Sequence, residues 1–445
     1  MNESTPAFTI LTWGCQMNED DSEQISNLLI GMGYRPAAEE ANADIIMLNT
    51  CSVRSKPEQK ARSKLGELAV LKREKPDLII GVCGCMAQKE GDALRSRAPH
   101  IDLIVGTANI ASIPEMIADI RYARRRMTAL DLPRSAADEA TIPDRVTDRA
   151  TTGLKSFVPI MYGCDNFCSY CVVPYVRGKE RSRPKDEIVG EIRLLADRGV
   201  KQVTLIGQNV NSYGRTLHDA AGFDDLLRAV NDIPGIERIR FTTSHPKDLS
   251  DDLIGAVAEL PKVCEHLHLP IQAGDDVILH EMRRGYTADD YRRLVAKLRH
   301  AAPDVTLTTD FLVGFPGETE AQFENTVRLA EELRFDSAFM FAFNPLANTA
   351  AAALPDQLPT DVKSGRLRRL IELQNSISKE INDSQVGAEF EVLVEGLSPK
   401  DSSRLTGLTR GNKTVNFPGC PELAGATVAI RAVMGHLWGF SGELV

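Results

Sequence analysis

No apolar run in the sequence approaches the roughly 20 residues that a membrane-spanning helix needs. The opening, Met1-Asn-Glu-Ser-Thr-Pro, has no basic segment followed by an apolar one, so no secretory signal is expected. A cytosolic protein with no membrane partner is the expectation. Internal repeats and low-complexity tracts are missing too. With 43% hydrophobic and 26% charged residues, this excludes a wholly disordered chain and a collagen-like fibre. Positive charge is not in excess: 52 Lys and Arg against 62 Asp and Glu leave a formal charge of −10. That gives no global footprint for nucleic acid, so an RNA partner has to be held by local basic patches. Nor is there an even set of cysteines. There are nine, and an odd number in a reducing compartment argues against a disulfide framework.

What is present is a long alternation of strands and helices. The 445 residues suggest about three domains. Over 6–121, short apolar runs at 8–13, 44–48, 78–82 and 101–105 alternate with helical patterns at 20–32, 57–71 and 110–120. This predicts an open parallel α/β domain of about four strands. Residues 122–150 lose periodicity after Arg121, Arg124, Arg125 and Arg126 and read as a linker. From 151 to 384 the alternation resumes. Strands are expected at 157–162, 201–206, 237–242, 266–269, 305–311 and 336–343, and helices at 185–198, 223–231, 249–259, 288–301, 319–333 and 361–383. Six such repeats suit a full or partial (β/α) barrel, whose chemistry lies at the C-terminal ends of the strands. Residues 385–445 hold short β-type runs at 390–394, 415–417 and 426–430 with glycines between them, and predict a small β-barrel.

The cysteines carry the chemistry. Cys164-Asp-Asn-Phe-Cys168-Ser-Tyr-Cys171 places three thiols on one loop after a predicted strand. Three thiolates can hold three corners of a 4Fe–4S cluster and leave one iron open. A structural zinc site wants four closed ligands, and no nearby His or fourth Cys supplies one. Cys15, Cys51 and Cys83/Cys85 follow the first, second and third predicted strands. Parallel strands end on one edge, so three loops bring three thiols to one rim, where open α/β sheets bind ligands. Each cysteine alone would more often be a small buried hydrophobe. Together they predict a second metal site, with Cys85 as ligand and Cys83 in the core. Cys264 and Cys420 read as structural.

At Cys164–Cys171 the sequence resembles the radical S-adenosylmethionine (SAM) superfamily. Thr12-Trp-Gly-Cys15-Gln-Met-Asn18, Asn49-Thr-Cys51-Ser-Val-Arg54 and Gly84-Cys85-Met-Ala-Gln88 resemble the N-terminal domain of its methylthiotransferase family. Tyr162-Gly-Cys164 through Ser182-Arg183 resembles that family's core, as do Gly207–Tyr213, Phe241–Pro246, His268–Gln272 and Asp310–Glu318. The C-terminal barrel resembles the RNA-binding TRAM module. Within the family the chain is most similar to members that methylthiolate N6-isopentenyladenosine next to the anticodon of tRNA. Relatives acting on threonylcarbamoyl-adenosine or a ribosomal protein are the alternative, and a non-catalytic iron–sulfur RNA-binding sensor is the alternative of another class.

The resemblance implies two 4Fe–4S clusters: Cys164, Cys168 and Cys171 for the one that binds SAM, and Cys15, Cys51 and Cys85 for an auxiliary one. It implies that one SAM yields a radical that takes hydrogen from C2 of the adenine, and that a second SAM methylates a sulfur on the auxiliary cluster. Separate electron and sulfur donors follow, acting on a monomer. Two departures from the family pattern, Leu346 and Leu408, each replace a common arginine.

Weaker expectations concern the contacts. Tyr170 lies inside the cluster loop, where it either packs on the SAM adenine or fills core. Gln208, Asn209, Ser244, His245 and Gln272 end predicted barrel strands and are expected to meet SAM. Arg177, Lys179, Arg181 and Arg183 crowd just after the loop and are expected to meet RNA phosphates.

Overall fold

The computed structural model describes residues 5–52, 55–132, 145–146, 153–218 and 221–445. The N-terminal part alternates β1 (Ala7–Trp13), α1 (Gln16–Gly31), β2 (Arg35–Pro36), β3 (Ile45–Thr50), α2 (Ser55–Glu74), β4 (Ile79–Cys83), α3 (Cys85–Glu90), α4 (Asp92–Arg97), β5 (Leu103–Val105), α5 (Ile113–Ala123) and β6 (Met127–Ala129). The sheet is parallel throughout, in the order β2-β1-β3-β4-β5-β6. It has six strands where the sequence predicted about four. The central β3 and β4 are buried along their whole length, which is why they read as unbroken apolar runs. The two added strands are edges of two and three residues, too short to show periodicity. Pro36 is tolerated in β2 because an edge strand needs only one side of its ladder. Strand β6 falls inside the stretch read as a linker and corrects that reading. Residues 133–144 and 147–150 of the linker lie outside the described residues.

The central part comprises β7 (Lys155–Pro159), β8 (Met161–Tyr162), α6 (Val173–Arg177), β9 (Arg181–Ser182), α7 (Lys185–Asp197), β10 (Gln202–Ile206), α8 (Phe223–Asn231), β11 (Arg238–Thr242), α9 (Asp251–Glu259), β12 (His266–His268), α10 (Asp276–Glu281), α11 (Ala288–Ala301), β13 (Thr306–Val313), α12 (Glu320–Leu333), β14 (Ser337–Ala342) and α13 (Thr360–Ser384). Two parallel triplets, β11-β10-β7 and β12-β13-β14, are joined by a parallel bridge from Ile239 to Val263. One hydrophobic core runs through both, so six strands form a partial barrel. Helix starts are set by caps such as Thr287, whose hydroxyl accepts from the Asp290 amide while the Asp290 carboxylate accepts from the Thr287 amide. The expected strand 157–162 divides in two. Its second half, β8, pairs antiparallel with β9 and frames the loop that carries Cys164, Cys168 and Cys171.

The C-terminal part is a closed barrel of β15 (Glu389–Ser398), β16 (Asp401–Thr409), β17 (Thr414–Phe417), β18 (Thr427–His436) and β19 (Gly439–Leu444). It is mounted on the starts of the central strands. The Arg238 guanidinium donates to the Leu408 and Glu391 carbonyls at 2.6 and 3.1 Å, and Arg240 to those of Thr409 and Arg410 at 2.6 and 2.8 Å. Arg410 returns an ion pair to Glu265 at 2.6 Å, and Lys413 one to Asp336 at 2.9 Å.

The N-terminal part is joined to the central one through two adjacent carboxylates of α1. Asp20 takes a two-pronged contact from Arg145 at 2.7 and 2.8 Å, and Arg145 continues to Glu191 at 3.4 Å and thence to Arg183 at 2.8 Å. Asp21 takes Arg177 at 2.7 Å. These charges are buried, and each has an opposite partner, as burial demands. Among the described residues no helix is long and apolar enough to cross a membrane.

Candidate active site

The first three thiols sit where three parallel strands end. Cys15 follows β1, Cys51 follows β3, and Cys85 opens α3 after β4. A buried asparagine pair ties these loops together. Asn18 donates to the Asn49 side chain at 2.9 Å, and Asn49 donates back to the Asn18 carbonyl at 2.9 Å. Gly84 holds φ +86°, and a Cβ there would lie 2.4 Å from Asn49 Oδ1 and 3.0 Å from the Thr50 carbonyl. Only glycine lets the third loop close on the second. Cys51 and Cys85 are buried and Cys15 is the exposed member. A hydrogen bond with Cys51, aided by the Arg177 charge and the Asn18 and Met17 backbone, holds the Cys15 thiol down at about 5 against its own desolvation. Burial pushes the Cys85 thiol up, with the Arg177 charge opposing. Cys83 ends β4 in the core, where its thiol faces the Leu48 carbonyl and burial raises its pKa.

Cys164, Cys168 and Cys171 lie on the loop between β8 and α6. Gly163, at φ +76°, starts that loop, and a Cβ there would meet the Lys179 carbonyl at 2.0 Å. Burial raises Cys164 to about 11. Burial and then the neighbouring Cys168 raise Cys171 to about 12. Desolvated thiols that raise one another's pKa resist ionising together unless a cation is bound among them, so the donor set suits an iron–sulfur cluster. The sequence reading missed Arg284, which lies 116 residues away from Cys168. Its Nη1 reaches Cys168 Sγ at 3.5 Å and the Tyr170 hydroxyl at 3.4 Å, its Nη2 the Pro270 carbonyl at 2.7 Å, and its Nε the Tyr286 hydroxyl at 2.9 Å. Tyr286 in turn meets the His245 ring edge-on, 5.7 Å between centroids.

The strand-end polar residues converge as well. The Val210 amide donates to the Thr243 carbonyl at 3.0 Å and the Asn211 side chain to the His245 carbonyl at 3.4 Å, joining the β10 and β11 ends. Thr243 and Gln272 hold φ of +73° and +78°, strained for residues with a side chain. Gln208 Oε1, Asn209 Oδ1, Asn211 Oδ1, Ser244 Oγ and His245 Nε2 are buried with no hydrogen-bond partner. His245 Nδ1 accepts from the Lys247 amide, which leaves the proton of the neutral ring on Nε2. Burial and the nearby Arg284 charge hold this imidazole down at about 2. Buried polar atoms without partners are rare, and five just past the ends of two neighbouring strands, β10 and β11, fit a polar ligand such as SAM. Asn211 was missed because it lies one turn past the strand end. Thr50 Oγ1 and Ser52 Oγ, on either side of Cys51 in the chain, and Arg177 Nη1 are buried without partners as well.

Beside Cys171 lies a cavity of about 740 Å³ that reaches across to Gly14, next to Cys15. Trp13, Gly14, Lys56 and Lys60 line it from the N-terminal side, and Tyr170, Cys171, Gln272, Asp310, Met340 and Leu346 from the barrel. Leu346 also packs with Cys85, Val172 and Val176.

The basic run corrects the sequence reading. Arg177, Arg181 and Arg183 are buried. Arg177 is bound to Asp21 and Arg183 to Glu191, while Arg181 is held in the β8–β9 hairpin opposite Tyr162. They cannot present their charge to a phosphate. Of the four, only Lys179 is exposed.

A partial (β/α) barrel with three thiols on the loop after its first strand, and orphaned polar atoms at the next strand ends, is the architecture of a radical SAM protein. The model of the Radical SAM superfamily matches residues 158–330, that of the Uncharacterized protein family UPF0004 residues 7–106, and that of the TRAM domain residues 383–436. The chain belongs to the family of tRNA-2-methylthio-N(6)-dimethylallyladenosine synthases. It is 48% identical over 447 residues to the protein of that name from Moorella thermoacetica, covering 100% of each chain. With the one from Acetivibrio thermocellus it shares 48% over 444 residues, covering 98% of this chain and 91% of the other. Among solved structures, the radical S-adenosylmethionine methyltransferase TsrM from Kitasatospora setae shares the fold. Its TM-score is 0.58 at 14% identity, over 78% of this chain and 74% of the other.

Proposed function

We propose that this enzyme adds a methylthio group to C2 of N6-isopentenyladenosine next to the anticodon of cytoplasmic tRNA, drawing the sulfur from an auxiliary 4Fe–4S cluster. The observation that carries the reading is a cavity that meets one thiol set at Cys171 and reaches the loop of the other at Gly14, next to Cys15, with one set of three thiols on each domain. A lone SAM-cleaving site would need only one set. When bound, the two clusters and SAM would supply one-electron chemistry and a sulfur that the side chains lack.

The chain's own residues would bind and orient these groups. Cys164, Cys168 and Cys171 would hold the SAM-binding cluster, and Cys15, Cys51 and Cys85 the auxiliary one. Gln208, Asn209, Ser244 and His245, with Asn211, would take the polar atoms of SAM. Tyr170 and Gln272 would close the side nearest the substrate. Arg284 fixes the cluster loop by joining Cys168 and Tyr170 to the Pro270 carbonyl. Leu346 and Met340 would give this cavity an apolar stretch of wall.

RNA contact falls to Lys56 and Lys60, which line the cavity, and to the exposed Lys179 rather than to the buried arginines. Beside Lys179, the exposed rings of Phe167 and Tyr175 meet edge-on at 6.4 Å, a platform on which an unpaired base can stack. The test is nucleoside mass spectrometry of tRNA that carries isopentenyladenosine but no methylthio group, incubated anaerobically with reconstituted protein, SAM and a reductant. The methylthio nucleoside should form, and should vanish with Cys15→Ala and with Cys168→Ala. SAM cleavage over unmodified tRNA would refute the substrate assignment.

A further inference from the structure

Arg177 is the last residue of α6, the short helix that begins just after Cys171. The same helix therefore starts at one thiol set and ends at the other. Its Val176 packs against Cys85, and the Val176 carbonyl accepts from the Thr107 hydroxyl at 2.6 Å, which pins the helix end to the N-terminal domain. The Arg177 guanidinium is buried, 4% exposed, so its orientation is fixed by what it touches. Its Nη2 donates to Asp21 Oδ2 at 2.7 Å. Its Nη1 is buried with no hydrogen-bond partner, an outer guanidinium edge left open where Arg145, Arg183 and Arg238 leave only the inner Nε. The groups close enough to feel its charge, besides Asp21, are Cys85 and Cys15. A buried guanidinium edge without an acceptor costs free energy comparable to that of a broken charged hydrogen bond, so something in the complete protein accepts from it.

We propose that Arg177 donates its free Nη1 edge to the sulfur ligands at the Cys15/Cys51/Cys85 rim, holds the auxiliary cluster in place, and raises its reduction potential. The inference rests on the auxiliary-cluster reading above. One-electron reduction adds a negative charge to the cluster, and a permanent positive charge hydrogen-bonded to its sulfurs stabilises that state. Asp21, bound to Nη2, offsets part of the effect and orients the guanidinium, as outer partners do around metal ligands. Arg177 is thus a positioning residue acting through the cluster.

The experiment uses the full chain with Cys164, Cys168 and Cys171 all changed to Ala, reconstituted anaerobically with iron and sulfide. Iron content is read first. Retention of about four iron atoms per chain upholds the auxiliary site; no bound iron overturns that reading and this one with it. The midpoint potential of the retained cluster is then followed by electron paramagnetic resonance during titration with dithionite. Arg177→Gln should shift the potential to a more negative value at unchanged iron content, and Arg177→Lys should restore most of it. Asp21→Asn, which removes the offsetting charge but keeps the guanidinium, should shift it to a more positive value. A loaded Arg177→Gln protein with an unshifted potential overturns the inference and leaves the auxiliary site standing. Where Arg177→Gln fails to load, Arg177→Lys decides: a loaded cluster whose potential falls partway below wild type, the guanidinium edge being lost, supports the proposal, and a potential equal to wild type refutes it.

Discussion

Arg183→Ala separates a structural arginine from an RNA-binding one. The Arg183 side chain is 2% exposed and that of its partner Glu191 is not exposed at all, with 2.8 Å between Nη1 and Oε2. The same Nη1 also donates to the Pro159 carbonyl at 2.7 Å. Removing one partner of a buried pair costs about 3–5 kcal/mol, because the other charge stays buried. Here Glu191 keeps a longer contact to Arg145 at 3.4 Å, and Arg145 is already committed to Asp20. The lower end, about 3 kcal/mol, is therefore expected. At tenfold per 1.4 kcal/mol, that is about a 100-fold loss of hydrogen-exchange protection. The loss should be concentrated in peptides covering β7 to α7, which these contacts join. Arg292→Ala serves as the control: its pair with Glu332 is 34% and 50% exposed and should change protection less than tenfold. Equal protection in Arg183→Ala and wild type, together with weakened tRNA binding, would refute the structural assignment.

Two further outcomes follow from the same geometry. Changing both Lys56 and Lys60 to Glu should weaken tRNA binding and lower the salt dependence by about one unit for each phosphate no longer held, with the fold unchanged; an unaltered salt slope would remove the cavity lip from the RNA surface. His245 is held at about 2 in the folded chain against 6.5 when free, so the unfolded state binds the extra proton between those values and stability rises with pH across that window. Acidification from pH 7 to pH 5 should therefore cost wild type about 2 kcal/mol more than His245→Gln, measured by denaturant unfolding.

The parts of this molecule that are local in sequence were the legible ones. Cys164, Cys168 and Cys171 sit within eight consecutive residues, and their spacing alone suggested a shared cluster. The rim formed by Cys15, Cys51 and Cys85 was legible one step further on, because parallel strands must end on the same edge. Long-range pairing was not legible. A run such as Arg177 to Arg183 looks like a solvated basic face until its carboxylates are known, and Asp21 lies 156 residues from Arg177. Hairpin β8–β9 also turns Arg181 inward through a pairing of only two residues each, below what periodicity can register. Strand β6 escaped notice for the same reason, and Arg284 because a buried arginine in a loop has no local signature.

The mount of the small C-terminal barrel has a consequence for substrate choice. Its contacts fall at the starts of the central strands, and Gly411 abuts Thr306 at the first residue of β13. The cavity is lined by Asp310 and Leu312 near the other end of that strand. Six residues of extended chain separate Thr306 from Leu312, roughly 20 Å at the usual rise. If the small barrel grips the RNA body, β13 becomes a ruler. The enzyme would then choose its adenosine partly by how far that base stands from the gripped stem, and nucleotides added to or removed from the intervening RNA would change which base arrives.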